Sequence, residues 1–170
     1  MTRLHLILGG ARSGKSARAQ SLAEAARPQR VFIATAEARD TEMAERIARH
    51  QADRGAGWET AEAPIGLAGA ISAYGSQDKA CLVDCLTLWL SNIMHADHDI
   101  EKRTEELCAS LKQAQCPVFL VSNELGLGLV PETPLGRRFR DAQGRLNQAV
   151  AAACDKVEFV VAGLTFTMKE

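Results

Sequence analysis

Residues 6–20 read LILGGARSGKSARAQ, and within them Gly9, Gly14, Lys15 and Ser16 satisfy the spacing G-x-x-x-x-G-K-[ST]. A short β-rich run, LHLIL (4–8), precedes the stretch, and a segment of helical period (15–26) follows it. That order constrains the fold more than anything else in the chain. Glycines so placed let successive backbone N–H groups turn inward and face an anion at a helix N-terminus. Gly9, Gly10, Ala11, Arg12, Ser13, Gly14, Lys15 and Ser16 are therefore the expected cradle of a nucleotide's phosphates. Lys15 is expected to reach the β- and γ-phosphates and act in catalysis, and the Ser16 hydroxyl to ligate Mg²⁺.

Further β-rich runs recur at 30–35, 79–84, 116–122 and 156–163, and helix-period stretches lie at 41–54, 65–73, 86–94, 100–114 and 135–155. Strands alternating with helices predict an α/β domain with a mostly parallel sheet and helices on both faces, here a P-loop NTPase of the RecA-like kind. The 170 residues fit one nucleotide-binding domain (1–170), without internal repeat or Pro/Gly/Ser linker. Two connections read as long loops, 55–64 and 123–134, and long loops beyond strand ends are where such folds keep their chemistry.

A net charge of -1, with both signs spread along the chain, leaves no basic face for nucleic acid and no charged tail. Small molecules are the expected partners. The five cysteines (81, 85, 108, 116 and 154) lack C-x-x-C spacing and sit mostly in apolar runs, which favours reduced core thiols in the cytoplasm. The opening MTRLHLILGG is too short in its apolar part for a signal segment or a membrane span.

Asp84 ends the apolar run ACLVD, where an acid can hold Mg²⁺ beside the phosphate loop. In DTEMAERIARHQADR (40–54), Asp40 is a plausible N-cap, and Met43, Ile47 and His50 share one side of the expected helix. Taken by itself, His50 reads as a half-buried, hydrogen-bonded side chain. MHADHD (94–99) carries His95, Asp97, His98 and Asp99 but lacks helical spacing and a third separated partner, so it reads as a polar loop rather than a metal site.

Several segments together resemble the bifunctional adenosylcobinamide kinase/adenosylcobinamide-phosphate guanylyltransferase family of cobalamin biosynthesis. They are GGARSGKS, the IAT of 33–35, RI-x-x-H-x-x-x-R (46–54) followed by W-x-T-x-E (58–62), VDCLTLWLSN (83–92) and VSNELGLGLVPETPLGRRFRDAQGRLNQ (121–148). The resemblance implies that the chain phosphorylates adenosylcobinamide with ATP or GTP. It then implies transfer of GMP from GTP to that phosphate through a guanylylated histidine, which falls on His50. It also implies guanine-nucleotide contacts at Ala34, Thr35, Ala36, Gln51, Ala52, Asp53 and Glu62, the last being otherwise a solvated loop acid, and a homotrimer, which would suit the apolar tail LTFTM. Glu124 fits either a catalytic base, a ligand of metal-bound water or a turn cap. Arg137, Arg140 and Arg145 fit either phosphate neutralisation or a solvated helix face. A plain P-loop kinase, with a structural His50, is the alternative reading.

Overall fold

The computed structural model describes residues 3–37, 55–75 and 78–170. The helix expected over 41–54 lies outside them. Seven strands, β1 (Leu4–Gly9), β2 (Gln29–Ala34), β3 (Trp58–Glu62), β4 (Lys79–Asp84), β5 (Val118–Asn123), β6 (Lys156–Val161) and β7 (Leu164–Lys169), form one sheet in the order β3-β2-β4-β5-β1-β6-β7. All neighbours are parallel except the β6–β7 hairpin. The described helices are α1 (Lys15–Ala26), α2 (Leu67–Tyr74), α3 (Leu86–His95), α4 (Ile100–Gln113) and α5 (Pro134–Ala153).

Helices cover both faces, as the alternation of strands and helices requires. Leu4, Leu6 and Leu8 of β1 point to one side, where they join Ile33, Val83 and Leu120 beneath α2–α5. Ile7 points to the other side with Leu82, Val121 and Val160, against Ala19 and Ala23 of α1. Alanines on that face of α1 allow a close approach to the sheet. The longer helices start where their caps allow: Asp99 accepts the Lys102 N–H at 3.0 Å to begin α4, and Thr133 accepts the Gly136 N–H ahead of Pro134 to begin α5.

Two connections differ from expectation. Residues 58–62, expected within a loop, form the edge strand β3; only Ala61 of the five is buried, so the segment lacks the apolar run that marks an inner strand. The strand expected over 156–163 stops at Val161, because Ala162 and Gly163 take positive φ (51° and 76°) and turn the chain back. The tail LTFTM then becomes β7, with Leu164, Phe166 and Met168 exposed. Lys169 at its end donates to the carbonyls of Ala151, Ala152 and Cys154, capping the C-terminus of α5.

A buried acid ties α1 to the sheet. Glu158 of β6, 2% exposed, accepts two hydrogen bonds from the Arg18 guanidinium, both at 3.0 Å. His5 Nε2 lies 3.6 Å from the same carboxylate, but burial lowers its pKa, so the imidazole is neutral at pH 7 rather than an ionic partner. Burial works to raise the Glu158 pKa, yet the Arg18 hydrogen bond and the neighbouring charges outweigh it and hold the carboxyl below its usual range.

Both shifts make acid destabilising. The unfolded chain protonates His5 near pH ~6.5 while the folded chain resists, so stability declines as pH falls through that point. The Glu158 contribution is complete above the ordinary carboxylate pKa and is lost as pH falls through its depressed folded value. We expect His5→Phe to flatten the slope of stability between about pH 6.5 and 5, and Arg18→Ala to cost about 1–3 kcal/mol at pH 7. Denaturant unfolding across pH checks both.

Candidate active site

The loop between β1 and α1 has the conformation that its glycines permit. Gly14 lies at φ 101° immediately before α1, and Arg12 also takes a left-handed φ, 55°. A Cβ on Gly9 would stand 2.4 Å from the Val160 carbonyl oxygen and 2.5 Å from Ser13 Oγ, so only glycine fits there. Three hydrogen bonds fix the curve: Ser13 N–H to the Gly10 carbonyl at 3.3 Å, Lys15 Nζ to the same carbonyl at 2.9 Å, and Gly163 N–H to the Ser13 carbonyl at 2.9 Å. The turn of the β6–β7 hairpin thus braces the phosphate loop from behind. Ser13 Oγ is buried with no hydrogen-bond partner among the described residues, leaving a hydroxyl donor over inside the loop.

The register across the sheet sets the remaining acids relative to that loop. Glu62 pairs with Ala34, Ala34 with Asp84, Asp84 with Val121 and Val121 with Ile7, one row across β3, β2, β4, β5 and β1 at their carboxyl ends. Asp84 stands two strands from β1 and Glu62 four, about 10 and 19 Å at the usual strand spacing. A single small ion can involve Asp84; only an extended ligand laid along the sheet edge reaches both Glu62 and the loop. Glu62 is exposed, and Ala34, Ala36 and Asp84 are half-buried.

Asp84 and Lys15 act on one neighbourhood. The thiol of Cys85 is pushed up to about 11, first by burial and then by the Asp84 carboxylate, while the Lys15 ammonium pulls the other way. Ser16 lies in the first turn of α1 beside Lys15. Hydroxyl and carboxylate oxygens of this kind are what Mg²⁺ takes as ligands, so the residues present fit that ion.

Thr35, expected as a nucleotide contact, has its hydroxyl engaged with the main chain. It is wholly buried; its hydroxyl donates to the Cys85 carbonyl at 2.7 Å and accepts the Cys85 N–H at 2.8 Å. Its own carbonyl accepts from Asn92 Nδ2 at 2.8 Å, and Asn92 also reaches the Pro64 carbonyl at 3.0 Å. The side chain of Thr35 fastens the end of β2 to the end of β4, and Asn92 of α3 ties in the segment after β3. The segment VDCLTLWLSN does similar work elsewhere: the Thr87 hydroxyl accepts the Asn123 N–H at 2.9 Å, and Trp89 Nε1 donates to the Ile65 carbonyl at 2.9 Å.

Beyond β5, Glu124 N–H donates to the Gly9 carbonyl at 3.1 Å, and the Glu124 carboxylate accepts the Gly126 N–H at 2.5 Å. The turn cap is the role visible for this acid. Arg137 donates to the carbonyls of Pro131 and Glu132 and Arg140 to that of Leu129, so both guanidiniums strap the 124–133 loop. Gln143 and Asn147, which lie in the 121–148 segment but carried no assigned role, are buried and bonded to Ser122 Oγ and to each other, and Asn147 Nδ2 holds the Asn123 carbonyl at 3.0 Å. Amides beside Ala142 and Leu146 on the apolar stripe of α5 were the signal. In the 94–99 stretch, Asp99 serves as the cap of α4. His50, Gln51, Ala52 and Asp53 lie outside the described residues.

The family model described as cobinamide kinase / cobinamide phosphate guanyltransferase matches residues 5–168. The chain belongs to this family. A relative from Pseudomonas aeruginosa, the bifunctional adenosylcobalamin biosynthesis protein CobP, is 46% identical over 166 residues, covering 96% of each chain. The bifunctional adenosylcobalamin biosynthesis protein CobU of Salmonella typhimurium is 40% identical over 179 residues, covering 96% of this chain and 98% of its own. Among solved structures, a prototypical ATPase of a bacterial type III secretion system superposes with a TM-score of 0.56 at 10% identity, over 98% of this chain and 57% of that one. A Pyrococcus horikoshii OT3 protein does so with a TM-score of 0.54 at 8% identity, over 99% and 88%. At such identities these two speak for the fold alone, a mostly parallel sheet covered by helices.

The Thr35 clamp is open to direct test. Thr35→Val keeps the shape but strands the Cys85 N–H and removes a donor, and we expect a loss of about 1–3 kcal/mol, with Thr35→Ser retaining most of the stability. Denaturant midpoints of the two variants decide it.

Proposed function

We propose that this chain, acting as one nucleotide-binding domain over residues 1–170, phosphorylates the side-chain hydroxyl of adenosylcobinamide with ATP or GTP. It then transfers GMP from GTP to that phosphate, giving adenosylcobinamide-GDP and pyrophosphate. The observation that carries the reading is the match to the bifunctional family over residues 5–168, joined to a formed phosphate loop at its place in the sheet. Both relatives are named bifunctional, which weighs against a plain kinase.

In this reading the amides of 9–14 and the Lys15 ammonium bind the phosphates and neutralise charge that builds on the leaving oxygen in either reaction. Ser16 and Asp84 hold Mg²⁺, which when bound supplies further charge neutralisation at the phosphates. Gly10, Ala11, Arg12 and Ser13 shape the cradle, and Ala34, Ala36, Gln51, Ala52, Asp53 and Glu62 help bind the guanine nucleotide. Thr35 supports that binding by clamping β2 to β4. His50 is the nucleophile: its neutral imidazole attacks the α-phosphorus of GTP, a P–N bond forms and the P–O bond to pyrophosphate breaks. An oxygen of cobinamide phosphate then displaces the imidazole, forming the new P–O bond and returning His50.

The same reading carries a homotrimer, supported by the exposed apolar residues of β7, and a cytoplasmic enzyme whose partners are nucleotides and the corrinoid rather than nucleic acid. No helix among the described residues is long and apolar enough to cross a membrane.

The test is incubation with Mg²⁺ and GTP labelled at the α- or the γ-phosphate. We expect α-label on the protein that is acid-labile and alkali-stable, and none on His50→Ala. Folded, GTP-binding wild type without α-label would sink the guanylyl-transfer step. Lys15→Ala should lower kcat/KM of both reactions by about 10²–10³ while the variant remains folded.

A further inference from the structure

Beside the phosphate loop the chain displays apolar surface that the nucleotide does not account for. Leu127, Leu129 and Val130 are 82%, 96% and 64% exposed, and Leu135, in the first turn of α5, is 61% exposed. Four large apolar side chains within nine residues are unusual on a free surface and mark a contact site.

Their exposure does not come from a slack chain. The loop is held at three points: the Glu124 carboxylate accepts the Gly126 N–H at 2.5 Å, Arg140 donates to the Leu129 carbonyl at 3.3 Å, and Arg137 donates to the carbonyls of Pro131 and Glu132 at 3.0 and 2.7 Å. All of these bonds involve main-chain groups of the loop, so they fix its path while its apolar side chains stay out in solvent.

Position narrows the occupant. Asn123 pairs with Gly9, and the Glu124 N–H donates to the Gly9 carbonyl, so the loop leaves the sheet against the first glycine of the phosphate cradle. The cradle leads into α1 on one face of the sheet, whereas residues 124–133 lead into α5, which packs on the other. Nucleotide phosphates call for amides, cations and oxygen ligands, none of which these side chains offer. The second substrate, a broad macrocycle whose edge carries methyl groups among its amide arms, has to bring its hydroxyl or its phosphate to this same point.

We propose that Leu127, Leu129, Val130 and Leu135 form the platform on which the corrin ring of the acceptor rests while its side arm reaches the phosphates. This rests on the function proposed above and adds to it where the acceptor binds and through what chemistry. Arg137, Arg140 and Glu124 are positioning residues for that platform.

The experiment uses the full chain. Adenosylcobinamide binding is followed by corrin absorbance in equilibrium dialysis, with GTP binding, initial rates and sedimentation velocity in parallel, for wild type, the double variant Leu127→Ser/Leu129→Ser, and Leu129→Met. We expect the double variant to bind cobinamide at least about tenfold more weakly and to raise its KM to match, while GTP affinity stays within about twofold. Leu129→Met should keep wild-type affinity. Side chains this exposed contribute little to the fold, and thermal melting verifies that the variants remain folded. Unchanged cobinamide affinity in the double variant overturns the platform and leaves the enzyme's function standing. A changed sedimentation coefficient also overturns it, since the patch is then a contact between copies of the chain. Wild type that binds GTP but no cobinamide removes the functional reading, and the platform with it.

Discussion

Main-chain contact at Gly9 sets the rest of the site. With no side chain at that position, the carbonyl of Val160 and the hydroxyl of Ser13 close in to distances that any Cβ would forbid. That closeness brings the β6–β7 turn within reach of the Ser13 carbonyl and seats the loop above β1. Lys15 then folds back onto the Gly10 carbonyl, and α1 departs at an angle fixed at its first turn by Gly14 and further along by Arg18 on Glu158. The anion site is therefore a property of two segments far apart in sequence, 9–18 and 158–163.

A second group of contacts serves the opposite side of the sheet edge. Thr35, Thr87 and Asn92 bind strand ends to α3, and Gln143 and Asn147 bind the end of β5 to α5. These polar groups are buried and paired mostly with backbone, which orients the chain ends where a packed apolar contact would not. They hold the backbone at Cys85 and Asn123, next to Asp84 and Glu124, at the sheet edge beside the phosphate loop.

What the sequence made legible was local. The phosphate loop is a contiguous pattern, and the inner strands are buried on both faces, so each reads as an unbroken apolar run. β3 and β7 escaped because edge strands need not be apolar on both sides: Trp58–Glu62 buries one residue of five, and every residue of β7 is exposed. The family's likeness brought Thr35 forward as a ligand residue, while its bonds to Cys85, fifty positions away, depend on β2 and β4 being neighbours. Likewise nothing in a row of arginines says whether they face a phosphate or, as for Arg137 and Arg140, a carbonyl of their own loop. Polar residues on an apolar helical stripe were the one clue to these contacts that a sequence carries.

The row running from Glu62 to Ile7 has a shape as well as a length. Neighbouring strands in a sheet are rotated by roughly 20–25° in a constant hand, so four steps accumulate on the order of 80–100°. On the function proposed above, the edge along which the nucleotide would lie is thus a twisted one, its Glu62 end turned nearly a quarter revolution from its phosphate-loop end. Contacts made at the two ends of such a row therefore face in different directions, set by the sheet's handedness.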